Sequence, residues 1–132
     1  MRKVILVSGT FNTGKTSSIR RFLENRGIFH DKRGDITAVI PIKKGKRTVA
    51  LGVGSGGDNL QVVTRNTLFF DEHGWDVVVC ASKSDGATRK HIMDFAKSGR
   101  ATLIEIRTSW VQTPRVKVAN ESIAAQIEQA LA

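Results

Sequence analysis

The chain has 132 residues, which favours a single domain over residues 1–132 because so short a chain rarely builds two separate cores. Its 40% hydrophobic and 25% charged content exclude a disordered chain, and the one cysteine, Cys80, excludes an internal disulfide or a cysteine-built zinc site. The formal net charge of +9 is read either as a solvated face or as attraction for polyanions: nucleoside triphosphates, phosphorylated substrates or nucleic acid.

Residues 4–8 (VILVS) form a continuous apolar run, the pattern of a strand buried on both faces. From Thr16 to Arg26, Ile19, Phe22 and Leu23 recur at i, i+3, i+4 and Gly27 follows, which predicts an amphipathic helix closed by glycine. Residues 28–35 are polar and irregular and read as an exposed loop. Ile36 to Ile42 and Thr48 to Val53 predict two strands of a hairpin whose tip, Lys43-Lys44-Gly45-Lys46, is basic. Pro41 lacks a ladder donor and places the first of these strands at a sheet edge.

Gly52 to Gly57 is a second glycine-rich turn, after which Asp58 suits the N-cap of a helix presenting Leu60, Val63, Thr67 and Leu68, ended by Gly74. Asp76 to Ala81 predicts another buried strand, Ser82 to Ala87 a polar loop, and Thr88 to Lys97 a helix with Ile92, Phe95 and Ala96 inward. Thr102 to Ile106 predicts a further strand, and Asn120 caps a last helix carrying Ile123, Ile127 and Leu131. Strands alternating with helices imply an α/β fold: a mostly parallel, doubly wound sheet of about five strands, with one antiparallel edge strand from the hairpin. The apolar run after Arg2-Lys3 is too short for a signal peptide, and no stretch approaches the roughly 20 apolar residues that span a bilayer. With the single cysteine, this sets the expectation of a cytoplasmic protein with no membrane partner.

The residues Gly9-Thr10-Phe11-Asn12-Thr13-Gly14-Lys15-Thr16 match G-x-x-x-x-G-K-[ST] at every specified position. They stand between a buried strand and an amphipathic helix, the context that phosphate binding needs. Glycines let successive backbone N–H groups turn toward phosphate oxygens, and the helix N-terminus adds partial positive charge. On these residues the chain resembles the P-loop NTPase superfamily, in particular its compact single-domain bacterial and phage types. The resemblance is carried by the first strand, loop and helix, and the remainder follows by element order. It implies the P-loop fold, a nucleotide-binding site at Gly9, Asn12, Thr13, Gly14, Lys15, Thr16 and Ser17, and Mg²⁺ as cofactor. Lys15 would reach the β- and γ-phosphates and Thr16 would ligate Mg²⁺.

Such proteins usually carry an acid at the end of a neighbouring strand. Here Val77-Val78-Val79 runs into Cys80 where many relatives have aspartate, and Asp76 lies at the strand's other end, on the surface. Asp58, just past the strand 49–53, is the substitute, in an arrangement similar to the second switch of GTP-binding proteins. It is read as a catalytic residue with Lys15 and as a metal ligand with Thr16; a plain helix N-cap explains it equally, and Ser55 is the second candidate. Ser82-Lys83-Ser84-Asp85 is similar to a guanine-specifying element but begins with serine and comes one β-α unit early, so ATP is expected before GTP. Lys83 and Thr88 suit a substrate contact or a solvated loop, and Arg89-Lys90 an internal arginine finger, a lid or an exposed first helical turn. Trp75 and Trp110 are read as packing residues, Cys80 as a small core residue, and His30, His73 and His91 show no metal-ligand spacing.

The resemblance implies ATP binding with Mg-dependent hydrolysis. A small-molecule or nucleotide kinase is the alternative, although the chain leaves little room for a lid and an acceptor insertion. A nucleotide switch, or an ATPase associated with nucleic acid through the basic hairpin tip, completes the set.

Overall fold

A computed structural model describes residues 2–9, 14–28, 34–109 and 115–132. Its elements are β1 (Lys3–Ser8), α1 (Lys15–Asn25), β2 (Thr37–Lys44), β3 (Arg47–Gly54), α2 (Leu60–His73), β4 (Val77–Ser82), α3 (Gly86–Ser98), β5 (Thr102–Arg107) and α4 (Val116–Leu131). This is the expected α/β order. The strands form one five-stranded sheet in the order β2-β3-β4-β1-β5. β3, β4, β1 and β5 are mutually parallel and β2 is antiparallel to β3. Pro41 lies on β2 at the sheet edge, where its missing N–H costs no ladder bond on the open side.

Both sheet faces are covered. Ile5, Val7, Val77, Val79 and Ala81 pack with Ile19, Phe22 and Leu23 of α1 and Ala124, Ile127 and Leu131 of α4. Val4, Leu6, Val78 and Cys80 face the other way, onto Val63 and Phe70 of α2, Ile92, Phe95 and Ala96 of α3, and Trp75. The central strands β1 and β4 therefore read as unbroken apolar runs because each successive side chain is buried on one face or the other. Among the described residues no helix is long and apolar enough to cross a membrane.

Three local expectations are corrected. The N-cap of α2 is Asn59, whose Oδ1 accepts from Gln61 N at 2.8 Å, and not Asp58. The buried face of that helix is Val63, Asn66, Thr67 and Phe70, while Leu68 is 60% exposed. Five residues at 3.6 per turn carry Leu68 about 140° around the axis from Val63. The last helix starts at Val116, so Asn120 lies in its second turn, where its Oδ1 accepts from Ser18 Oγ at 3.2 Å. Trp75 packs in the core as expected, whereas Trp110 lies outside the described residues.

Candidate functional site

The carboxyl ends of the parallel strands gather on one side of the sheet, the usual position of ligand crevices in α/β proteins. There β1 runs into Gly9, whose N–H donates to Ser82 O at the end of β4. The chain re-enters at Gly14, which holds the N-cap of α1 with a left-handed φ of 82°. That φ, and a Cβ position only 2.9 Å from Asn120 Oδ1, leave room for glycine alone. Among the described residues no side chain caps α1, and its first residues, Lys15, Thr16 and Ser17, line the cleft.

Lys15, the first residue of α1, is 6% exposed. Its Nζ donates to Gly9 O at 2.8 Å, spanning the loop, and to Asp58 Oδ1 at 2.5 Å. Thr16 Oγ1 lies 3.2 Å from Asp35 Oδ1 and 3.1 Å from Ser55 O, so its proton serves either acceptor. These residues, with Ser17, Gly56, Gly57, Asn59 and Val62, line a cleft of about 260 Å³.

Asp58 reaches Lys15 by an indirect route. It follows β3, yet β4 stands between β3 and β1, so the segment after Gly54 must cross the end of β4. Gly57 makes the crossing possible: a Cβ there would sit 2.5 Å from Ala81 C and 2.7 Å from Ser82 N, which is backbone that cannot yield. Asp35 arrives from the opposite direction. Ser55 N donates to Ile36 O at 2.9 Å and Ile36 N to Ser55 Oγ at 2.6 Å, clasping the entry of β2 to the exit of β3. Asn66 of α2 extends the clasp, accepting from Thr37 Oγ1 at 2.8 Å and donating to Gly56 O at 3.4 Å.

Of the residues expected from sequence, Gly9, Gly14, Lys15, Thr16, Ser17 and Asp58 lie around this cleft or its loop, while Asn12 and Thr13 lie outside the described residues. Ser55 contributes its carbonyl; its hydroxyl is committed to Ile36. Asp76 lies at the far end of the sheet, exposed, where its Oδ2 accepts from Ala50 N. Thr88 is buried and its hydroxyl accepts from Lys83 N, a local loop bond. Arg89 is engaged elsewhere: its guanidinium makes two bonds, at 3.0 and 2.8 Å, to Glu105 of β5. Glu105 also accepts from Ser8 Oγ at 2.6 Å, bracing the end of β1. The Arg89 guanidinium, then the Ser8 hydroxyl, hold the Glu105 carboxyl down at about 2 despite partial burial. Burial pushes the Cys80 thiol up to about 12, consistent with a core residue.

Asp35 was missed in the sequence. Its only local signal is Gly34-Asp35 ahead of a strand, and its approach to Thr16 depends on the hairpin register that pairs Thr37 with Gly54.

The chemistry of this donor set suits a phosphate chain with a hard divalent cation. The ammonium and the uncapped helix N–H groups favour anionic oxygens. A hydroxyl and two carboxylates beside them are oxygen ligands of the kind Mg²⁺ takes together with substrate phosphates. Among the described residues no three acidic, histidine or cysteine side chains group as a metal cage. No protein-family model matches the sequence, and no curated protein matches it.

Proposed function

We propose that this chain is a P-loop nucleoside-triphosphate-binding protein that holds ATP with Mg²⁺ and hydrolyses its terminal phosphoanhydride. The observation that supports this reading most is Lys15 at the start of α1, buried, with its ammonium between Gly9 O and Asp58 Oδ1 at the cleft. A carboxylate oxygen 2.5 Å from the ammonium marks a position where an anionic oxygen is well held, and a phosphate oxygen has the same requirements.

On binding, Lys15 exchanges Asp58 for the β- and γ-phosphate oxygens while the bond to Gly9 keeps its stem in place. The α1 N–H groups bind the remaining oxygens. Thr16 and Asp35 are the residues that would hold Mg²⁺, which when bound would neutralise charge on the phosphate oxygens. Asp58, released from Lys15, orients the attacking water by accepting its hydrogen bond. The water oxygen bonds to the γ-phosphorus, the bond to the bridging oxygen breaks, and the water's proton leaves through Asp58 to solvent or product.

Phosphate release from ATP in the presence of Mg²⁺ tests the reading. The wild-type protein turns over slowly, and Lys15→Ala lowers the rate by roughly 100-fold or more. Equal rates for the two proteins, or no release by the wild type, would reject hydrolysis.

A further inference from the structure

The β2–β3 hairpin extends past the rest of the sheet. At the amino ends, Lys3 of β1 is level with Val77 of β4 and Thr102 of β5, and Leu51 of β3 pairs with Val77. Arg47 lies four residues before Leu51, so the ribbon reaches roughly 13 Å beyond that line at ~3.3 Å per residue. Ile42 and Val49 are buried and anchor it to the core. Beyond them every residue from Lys43 to Thr48 is exposed.

That tip carries Lys43, Lys44, Lys46 and Arg47, two cations on each side of the hairpin, with Lys44 opposite Arg47. Among the described residues none of the four forms an ion pair. Burial, and then the Lys44 ammonium, lower the Lys3 pKa. Four clustered cations without internal carboxylates destabilise the isolated chain and are compensated by an external polyanion.

We infer that this projecting hairpin is a nucleic-acid-binding arm that sets its basic tip into the major groove of duplex DNA. A two-stranded ribbon fits the ~12 Å groove, and cations on both of its sides face the phosphates of both walls. The tip has no apolar or aromatic side chain to insert into a lipid surface or to form the dry centre of a protein interface. A-form RNA has a deep, narrow major groove that does not admit the ribbon. The tip lies at the opposite end of the sheet from the Lys15 cleft, so DNA and nucleotide bind without competing.

Fluorescence anisotropy with a 20-base-pair DNA duplex, without nucleotide, tests the arm independently of the ATP reading. Four phosphate contacts give a slope of about −3.6 in log affinity against log salt, a loss of roughly 150-fold between about 50 and 200 mM. The double variant Lys44→Gln/Lys46→Gln reduces the slope to about −1.8 without lowering the Tm, because both side chains are exposed and their mutual repulsion is relieved. Lys90→Gln/Lys97→Gln, an equal charge change on exposed positions of α3, leaves the slope near its wild-type value. Four results would overturn the proposal: no binding at about 50 mM salt, a wild-type slope in the hairpin variant, an equal loss of slope in the α3 variant, or competition by RNA duplex, polyglutamate or phosphatidylserine vesicles as strong as by DNA.

Discussion

Lys15 and Asp58 are 43 residues apart in the chain, yet the lysine ammonium lies 2.5 Å from the carboxylate. The pair joins the start of α1 to the segment after β3 across a strand that belongs to neither. It sets an ammonium and a carboxylate side by side at the cleft.

Asp58→Asn keeps the shape and removes the charge. The pair is 6% exposed on the lysine side and 36% on the aspartate side, so partial solvation limits its stabilising effect to about 1 kcal/mol. Urea unfolding therefore shows a small change, whereas phosphate release falls by roughly 100-fold with little change in ATP affinity. A parallel loss of stability and activity would make the pair structural.

Asp35→Asn acts on the metal. Its carboxylate lies against Thr16 Oγ1, so the variant needs about tenfold more Mg²⁺ for half-maximal phosphate release while binding the metal-free nucleotide normally. An unchanged Mg²⁺ dependence would remove Asp35 from the metal set.

Gly57→Ala places a methyl 2.5 Å from Ala81 C, where only backbone movement makes room. Unfolding stability drops by about 2 kcal/mol, and phosphate release falls because Asp58 is displaced. Wild-type urea midpoint and activity together would show that the crossing tolerates a side chain.

Glu105 sets an acid limit. Its carboxyl titrates at about 2 in the folded chain against 4.5 for the free group, held down first by the Arg89 guanidinium and then by the Ser8 hydroxyl, so folding is favoured where the carboxylate is ionised. A lowered folded pKa means that this stabilisation is complete above about pH 4.5 and is lost as pH falls toward 2. Stability measured by urea across that window falls steeply in the wild type and less in Glu105→Gln, which starts lower. Identical pH profiles would show that the Arg89 pairing contributes nothing.

The legible parts of the site were those encoded within a few residues. Gly14, Lys15 and Thr16 are fixed by a local motif between a strand and a helix, and the position of Asp58 followed from the end of β3. What remained hidden depended on long-range register. Asp35 needs β2 folded back along β3, and the Glu105–Arg89 bond needs β5 to land beside β1 instead of β4. Leu68 reads as inward because an apolar residue invites burial, whereas the helix buries Asn66, which bonds to Thr37 and Gly56.

The central claim, that Lys15 grips a triphosphate, is tested most directly by thermal unfolding with and without ATP and Mg²⁺, for the wild type and Lys15→Ala. At 100 times the Kd, binding stabilises the fold by about 2.7 kcal/mol, a rise in Tm on the order of 8 °C. The wild type shows that rise and Lys15→Ala loses it. A rise of equal size in both proteins, or in neither, would contradict the claim.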